Sequence, residues 1–582
     1  MKYKLKKTFR AILLLQTMSL LSLTSLAFGQ VTEIQPESSV QKKITTKEWN
    51  EDLDYLVKRY EIMHPGLYTN VSKEKFNAFV DTLKLRSATE SGLNMIIGIM
   101  ELVAMIKDGH TGVNPTMYNA EKIPETIHWY PIRVYYFSDG LYAISAIKKY
   151  EAIIGKKIIR IGKLTTEDVI KKWARTKAAD NKIGEITDIY FVKEIFQYYD
   201  ILDDSDKLKL VAEDTSGNKI DFEIESEPLM DKFPKMNKNI FPMKDEGIIT
   251  LNENSSNQLP LWLSRIKEEY SGEFYWFEYL PTINGIYLQI NAMVNNPDEN
   301  FNMFCDRLFK EFDKKKAVRL IIDIRNNNGG NHFELPLLKG IISRPDLDKS
   351  DKLFVITSRV TFSASQHLAI QLDRYTNATS FGEPTGARPN TFGAIRRFTL
   401  PNSGLGAFCS VQFIQNSEAD DYRALTEPDF FVPLTSNNYK NNEDPVLEAI
   451  SKYDEYKKLR PEFLENMSNA FLKGGLEELK TVYSNIKPNY IKYGFNMENL
   501  LYKDLDSWMY RNKKSDDEYI NYLKFMHEEL PNSVDVSSDL ATWLETRNIE
   551  EAKKYYKNCL ELNPAHSYAK MKLKLMELES ME

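Results

Sequence analysis

Residues 318–385 constrain the fold and chemistry of this chain more than any other segment. Residues 318–324 form a mostly apolar run rich in β-branched residues, which predicts a buried strand. The run continues into Asn-Asn-Asn-Gly-Gly (326–330), where the glycines permit positive φ and a close approach of the backbone to a ligand. Thr-Phe-Ser-Ala-Ser-Gln (361–366) then predicts a tight turn of small residues at the start of a helix.

Ser363 in this turn is a candidate nucleophile. Acyl transfer needs an exposed hydroxyl group beside backbone N–H groups that can hold an oxyanion. Gly329 or Gly330 can supply one N–H group, and Ala364 can supply another, since donors at a helix start have no intrahelical acceptor. The alternative role for Ser363 is a helix N-cap, a position that serine favours.

Length, charge and cysteine content exclude several classes of protein. A chain of 582 residues should contain several domains, and its formal net charge of −7 argues against nucleic acid as a partner. Cys305, Cys409 and Cys559 are too few and too far apart for a disulfide framework or a metal-ligand motif. We also find no P-loop, no dinucleotide fingerprint and no metal spacing among His, Asp and Glu, so the sequence predicts neither a cofactor nor a metal.

The first 29 residues predict a signal peptide. A basic start precedes a mostly apolar run at residues 11–26, and Ala27-Phe28-Gly29 forms a cleavage pattern before Gln30. An exported protein, periplasmic or extracellular, with no membrane span after signal removal is therefore expected. The alternative is an uncleaved membrane anchor, although polar residues interrupt the run.

The remaining pattern predicts a multidomain α+β protein. Residues 30–123 read as a helical domain, and residues 124–232 as a β-rich module with strand–turn–strand signals. This module resembles a PDZ domain, which captures extended peptides, and a plain β-rich insertion is the alternative. Residues 233–454 alternate strands and helices, as expected for an α/β core with a largely parallel sheet.

Residues 455–582 predict α-helices that resemble degenerate tetratricopeptide repeats. The segment 548–569 carries small, aromatic and Asn-Pro residues at the offsets of that repeat, and weaker echoes end near Pro488 and Pro531. A surface that binds a protein partner and a helical cap that packs on the rest of the chain are both open interpretations.

Together, four segments resemble the C-terminal-processing, or tail-specific, serine peptidase family. They are Asp-Ile-Arg-Asn-Asn-Asn-Gly-Gly (323–330), Ser-Ala-Ser-Gln (363–366), Phe-Gly-Glu-Pro-Thr (381–385) and Glu-Pro-Asp-Phe-Phe-Val (427–432). The resemblance covers residues 45–450. It implies a core like those of ClpP and crotonase, a peptide or unfolded-protein substrate, Ser363 as the nucleophile, and an oxyanion hole from Gly329 or Gly330 and Ala364.

The family's best-known base is a lysine 25 residues after the serine, and here that position is Arg388. Arginine stays protonated in proteins and cannot accept the serine proton. His110, in Asp-Gly-His-Thr (108–111), resembles the histidine base of the tricorn-core and retinoid-binding-protein-like branch. An imidazole suits proton transfer at neutral pH. The alternative for His110 is a structural turn residue; His367 is a less favoured base, and His64 is expected to be structural.

The third member of the triad is not evident. The branch has a glutamate shortly before the Pro-Asp of the closing strand, but Tyr422 stands six residues before Pro428 here. We assign the role to the adjacent Asp421. Asp323 and Arg325 are instead expected to fix the glycine turn.

The sequence thus predicts an exported serine endopeptidase. The alternatives are a catalytically impaired relative that binds peptides or other ligands, a helical-repeat scaffold, and an esterase.

Overall fold

The structure is a computed structural model that describes residues 43–203, 207–229, 247–253, 255–265, 274–419, 421, 423–564 and 566–579. The predicted signal peptide lies outside the described residues. In the part of the chain that is described, no helix is long and apolar enough to cross a membrane. The fold mixes helices with several sheets and ends in a helical region.

Three capped helices open the described chain. They are α1 (Thr46–Met63), α2 (Lys73–Arg86) and α3 (Gly92–Ala104). The side chains of Thr45, Ser72 and Ser91 accept hydrogen bonds from the first turns of these helices, as N-caps do. Eleven of the thirteen residues of α3 are buried, which explains why its apolar character extends around the helix.

An antiparallel module follows. The elements along this part of the chain are β1 (Gly112–Asn114), β2 (His128–Trp129), β3 (Ile132–Phe137), β4 (Gly140–Ile147), β5 (Lys157–Ile161), β6 (Leu164–Thr165), α4 (Thr166–Ala174), α5 (Lys182–Glu185), α6 (Lys193–Tyr198), β7 (Leu208–Glu213), β8 (Lys219–Ile224), β9 (Glu227–Pro228) and β10 (Ile248–Thr250). Of these strands, β1 belongs to a different sheet, and β2 pairs with β9 alone. Strands β10, β4, β5, β7 and β8 lie in that order, with β3 paired to β4 and β6 to β5. Helices α4 and α6 pack on this sheet around Trp173 and Phe196.

A six-stranded sheet forms the centre of the α/β core. The elements of this region are α7 (Leu261–Ser264), β11 (Tyr275–Leu280), β12 (Gly285–Ile290), α8 (Phe301–Lys315), β13 (Arg319–Asp323), α9 (Leu335–Ile342), β14 (Leu353–Thr357), α10 (Ala364–Tyr375), β15 (Thr379–Gly382), β16 (Thr391–Thr399), β17 (Gly406–Ile414) and β18 (Phe430–Phe431). The sheet order is β11-β12-β13-β14-β15-β18, and every pairing except β11 with β12 is parallel. The predicted, largely parallel α/β core is therefore confirmed.

The hairpin of β16 and β17 leaves this core and reaches the N-terminal helices. Strand β1 pairs antiparallel with β17, so that Gly112 lies opposite Phe408. Leu400, Leu405 and Ala407 pack into the same apolar cluster as the N-terminal helices. This pairing fixes the segment that precedes β1, which contains His110, against the core.

The last part of the described chain is helical. Its helices are α11 (Ser436–Lys440), α12 (Pro445–Ser451), α13 (Tyr453–Tyr456), α14 (Leu459–Lys492, broken at Gly474 and Gly475), a π-helical turn (Asn499–Leu505), α15 (Asp506–Asn512), α16 (Asp516–Glu529), α17 (Val534–Leu544), α18 (Ile549–Leu562) and α19 (Ser567–Glu579). Pro488 lies inside α14, so the predicted repeat boundary near it is wrong.

These helices share one apolar core with a face of the six-stranded sheet. Phe354, Phe381 and Phe430 of the sheet belong to the same cluster as Phe463 and Tyr483 of α14. The rings of Phe381 and Phe430 stack with centroids 4.7 Å apart. Such continuity favours the interpretation of the helical region as a cap over that of a free partner-binding surface.

Candidate active site

Ser363 occupies a strained backbone turn directly before α10. Its φ is 54° and its ψ is −126°, a conformation that non-glycine residues rarely adopt. Its side chain makes no N-cap hydrogen bond, so the N-cap interpretation is wrong. Strain of this kind persists only where the surrounding structure enforces it, and it concentrates at functional sites.

The Gly329–Gly330 turn lies against this serine. Gly329 has a φ of 112°, and a Cβ atom added to it would lie 2.6 Å from Cβ of Ser363 and 3.0 Å from the backbone nitrogen of Ala364. Gly330 has a φ of 137° and bridges to Met293, whose carbonyl oxygen would be 2.2 Å from an added Cβ. Neither position accommodates a side chain, because an added Cβ would collide with Ser363 at Gly329 and with the backbone of Met293 at Gly330.

The backbone N–H groups of the two glycines differ in whether they already have a hydrogen-bond acceptor. The N–H group of Gly329 donates to Oδ1 of Asn327 at 2.8 Å. The N–H group of Gly330 has no acceptor among the described residues. Ala364 begins α10, so its N–H group lacks an intrahelical acceptor. Gly330 and Ala364 are therefore the donors best able to serve a bound oxyanion.

His110 lies beside the serine turn. Its imidazole stacks on the ring of Phe362, the residue before Ser363, with centroids 4.5 Å apart and planes inclined by 24°. The residue is 3% exposed, yet neither Nδ1 nor Nε2 has a hydrogen-bond partner among the described residues. Buried polar atoms are normally paired, so these two unpaired ring nitrogens, on a ring that contacts the residue before Ser363, mark His110 as a candidate functional residue.

Asp108 anchors the loop that carries His110. Its carboxylate accepts bonds from Nε2 of His64 at 3.1 Å and from the hydroxyl groups of Thr111 and Ser410, each at 2.6 Å. Burial opposes ionisation, but the bond from His64, the nearby His110 ring and the two hydroxyl groups outweigh it and lower the pKa of Asp108 to about 2. Asp108 Oδ1 also lies 4.0 Å from Nδ1 of His110, too far for a hydrogen bond.

Asp421 does not orient His110 in this structure. Both of its carboxylate oxygens pair with Arg423, at 2.9 and 2.7 Å. Burial raises the pKa of Asp421, but the bonds from Arg423 outweigh it and lower that pKa. Arg423 lies two residues from Asp421 in the chain, so the two side chains form this bidentate pair locally.

Arg388 is not a base but a structural link. Its Nε atom donates to the backbone oxygen of Asp180 at 2.9 Å, and Nη1 donates to Oδ1 of Asn563 in the C-terminal helices at 3.1 Å. Asp180 in turn accepts the N–H group of Gly109 at 2.7 Å. This chain of bonds connects the His110 loop to the helical cap.

A largely apolar cavity of about 510 Å³ opens beside the serine turn. Phe362 and Gly386 line it from the core, Gly109 and Thr111 from the His110 loop, and Phe408 from β17. Buried residues of α3 and α6 complete its apolar wall: Leu93, Ile96, Ile97, Val103 and Ile195. The cavity is large enough for one or two apolar side chains of a bound chain.

Asp323 and Arg325 fix the strand end before the glycine turn. Arg325 pairs with Asp323 at 2.9 Å and with Asp444 at 3.0 Å, and all three side chains are nearly fully buried. The hydroxyl group of Tyr287 also donates to Asp323. This network agrees with the structural role expected for Asp323 and Arg325.

Three possible metal ligands converge behind the serine turn, although the sequence shows no metal spacing. His332, Glu334 and His367 place their ligand atoms within 4.8 Å of one another. Burial lowers the pKa of His332. Burial opposes the charged ring of His367, but its bonds to Glu334 and Asn416 raise its pKa. Since the third residue comes from a different element, linear spacing could not reveal the cluster.

His367 is not free to act as the catalytic base. Its Nδ1 is bonded to Asn416 and its Nε2 to Glu334, so both ring nitrogens are already engaged.

Sequence reasoning also missed Phe362 and Asp180. Phe362 supports the His110 ring, and Asp180 holds the backbone of Gly109. No local signal marks Asp180, whose partners lie more than 70 residues away in the chain. The position of Phe362 directly before Ser363 was its only sequence clue.

Neither a protein-family model nor a curated protein sequence matches the chain. Among solved structures it is similar to mature CPAF complexed with lactacystin, at 13% identity and a TM-score of 0.46 over 71% of this chain and 98% of that one. It is also similar to the photosystem II D1 C-terminal processing protease, at 12% identity and a TM-score of 0.32 over 71% of this chain and 97% of that one. The tricorn protease is similar at 13% identity and a TM-score of 0.29, over 71% of this chain and 37% of that one. With TM-scores below 0.5, these similarities do not decide the function of this chain.

Proposed function

We propose that the protein is a serine endopeptidase with Ser363 as its nucleophile. The observation that carries this proposal is the strained turn of Ser363, held with a φ of 54° against the backbone of Gly329. A turn of this kind exposes the serine hydroxyl group at the start of a helix and beside free N–H groups. A structural serine would need neither the strain nor the adjacent pair of glycines.

His110 acts as the general base. Its ring packs on Phe362, the residue directly before Ser363, and catalytic hydrogen bonds in unliganded enzymes are often loose and tighten only when substrate binds. The imidazole takes the serine proton while Oγ attacks the peptide carbonyl carbon. The N–H groups of Gly330 and Ala364 hold the resulting oxyanion.

The tetrahedral intermediate then collapses. The peptide C–N bond breaks, and the His110 imidazolium returns its proton to the leaving amine. Water, deprotonated by the same ring, attacks the acyl-enzyme and releases the second product. Asp108, ionised and 4.0 Å from the ring, stabilises the imidazolium electrostatically, in place of an acid that is directly hydrogen-bonded to the ring.

The cavity beside Phe362 binds an apolar side chain of the substrate. Its walls come from the N-terminal helices, the antiparallel module and the core, so an extended peptide would cross all three. We assign peptide capture to the antiparallel module, by analogy with PDZ domains. Cleavage of residues 1–29 would place this enzyme outside the cytoplasm.

Activity-based labelling tests the nucleophile. A fluorophosphonate probe should label the purified protein at Ser363, and Ser363→Ala should abolish labelling and hydrolysis of unfolded peptides. Ser365→Ala is the matched control, since Ser365 lies two residues further on, is buried and has no hydrogen bond from its Oγ. Full labelling of Ser363→Ala would exclude the proposal.

A catalytically impaired peptide-binding relative is the second candidate. The absence of any hydrogen bond to the His110 nitrogens, among the described residues, favours it. Steady-state kinetics separate the two candidates. Multiple turnovers of an unfolded peptide that disappear in Ser363→Ala exclude a pure binder, whereas tight peptide binding without turnover supports it.

A further inference from the structure

The cluster of His332, Glu334 and His367 lies behind the serine turn, on two elements. His332 and Glu334 belong to the segment between the Gly329–Gly330 turn and α9, where Glu334 directly precedes the helix. His367 is on the first turn of α10, four residues after Ser363. The rings of His332 and His367 meet at a centroid distance of 4.6 Å and are nearly perpendicular.

Glu334, a member of this cluster, has one carboxylate oxygen without a hydrogen-bond partner among the described residues. The residue is 9% exposed, and its Oε1 lies 2.8 Å from Nε2 of His367. Its second oxygen, Oε2, is buried and has no hydrogen-bond partner among the described residues. A buried carboxylate oxygen without a donor is costly unless a cation completes its environment.

His367 is oriented as metal-binding histidines are. Its Nδ1 lies 2.6 Å from Oδ1 of Asn416, whose Nδ2 donates to the backbone oxygen of Pro389 at 3.0 Å. That second bond fixes the amide, so Nδ1 of His367 must be the donor to Oδ1. Nε2 is thereby directed at Glu334, and a supporting hydrogen bond to the opposite nitrogen is typical of metal ligands.

We propose that His332, Glu334 and His367 form a site for a divalent transition-metal ion such as Zn²⁺. Two imidazole nitrogens and one carboxylate suit zinc, whereas Ca²⁺ and Mg²⁺ take oxygen ligands. On binding, the ion would replace the proton that lies between Nε2 of His367 and Oε1 of Glu334, and that proton would be released to solvent. Since His332 is exposed, the fourth coordination position is open to water.

A bound ion would join two parts of the candidate active site. It would tie the segment that follows Gly330 to the helix that begins after Ser363. This linkage would fix the position of the glycine turn relative to the serine, and thus stabilise the fold whether or not the protein is a peptidase. Ligand binding to the folded state alone raises the unfolding temperature.

Metal titration tests the proposal. Chelator-treated protein is titrated with ZnCl₂ by calorimetry and with CoCl₂ by visible absorption, with unfolding temperatures measured in parallel. One ion per chain should bind, with a higher unfolding temperature and cobalt d–d bands. His332→Ala, Glu334→Gln and His367→Ala should each weaken binding at least ~100-fold, and Asn416→Ala roughly 10- to 100-fold.

Two controls make the outcome decisive. His128→Ala removes a histidine that pairs with Glu194 at 3.0 Å elsewhere, and it should leave binding unchanged. Ser363→Ala should also bind Zn²⁺ normally, so this site is tested separately from the proposed hydrolysis. Absence of zinc binding up to millimolar concentrations in the unmodified protein, or unchanged affinity in the ligand variants, shows a histidine–glutamate ion pair only and overturns the proposal.

Discussion

Gly329 lies directly against Ser363: a Cβ atom added to Gly329 would lie only 2.6 Å from Cβ of Ser363. The two residues are 34 positions apart, in the loops that follow the neighbouring parallel strands β13 and β14. The carboxyl ends of parallel strands meet at one sheet edge, where α/β folds place their ligands. The glycine turn thus shapes the surroundings of the serine hydroxyl group directly.

Replacing Gly329 by alanine should therefore impair the site. The φ of 112° strains any L-residue, and the added methyl group collides with Ser363 and Ala364. We expect hydrolysis or fluorophosphonate labelling to fall at least ~100-fold, because the oxyanion donors are displaced. Circular dichroism would establish that the variant is folded.

Gly217→Ala is the matched control. Gly217 also has a positive φ, of 81°, but an added Cβ would meet nothing within 4 Å. This variant should lose ~1–2 kcal/mol of stability and keep full activity. Equal activity of the two variants would contradict the proposed role of the glycine turn.

His110→Ala should lower kcat by roughly 10²- to 10⁴-fold, the range of a general base. The ring packs on Phe362 but forms no hydrogen bonds among the described residues, so the loss of stability should be modest. His527→Ala, in α16, removes another partly buried histidine and should leave kcat unchanged. An unaltered kcat in His110→Ala would leave the serine without its proposed base.

Arg325→Leu should destabilise the protein by ~3–5 kcal/mol. The substitution leaves Asp323 and Asp444 buried without their shared cation. Arg547→Leu is the control, since Arg547 also pairs with two aspartates, Asp516 and Asp517, but in an exposed setting. Its effect should stay within about 1 kcal/mol. Denaturant unfolding measures both, and similar losses would contradict a structural network at Arg325.

Asp506 in the helical cap should make stability depend on pH. Burial raises the pKa of Asp506 from 3.8 to about 6, against the opposing hydrogen bond from Tyr519. The folded state therefore holds this proton more tightly than the unfolded chain. The free energy of unfolding should therefore rise as pH falls from above 6 towards 4, because Asp506 becomes protonated in the folded state. At higher pH the buried carboxylate is charged, and this charge destabilises the folded state.

Two variants test this raised pKa of Asp506. Asp506→Asn, which is uncharged throughout, should raise the unfolding temperature at pH 7.5 and have little effect near pH 4. Asp516→Asn is the control, because bonds from Lys513 and Arg547 lower the pKa of Asp516, so its removal should not stabilise at pH 7.5. Equal shifts at both pH values in Asp506→Asn would show that the buried charge is not responsible.

The sequence alone determined the local elements and the glycine turn. The apolar strand at residues 319–323, the amphipathic α8 and the start of α10 after Ser363 follow from short-range patterns of burial and backbone preference. Those patterns depend on residues that are close together in the chain, so a single sequence is enough to predict them.

Only the tertiary structure decided which distant groups meet. The pairing of β1 with β17 brings His110 to Phe362, and α10 brings His367 to Glu334. These encounters depend on sheet order and on the packing of separate elements, which leave no periodic trace in the sequence. The physical reason is that side-chain contacts between distant segments are set by the three-dimensional course of the chain rather than by local conformational preference.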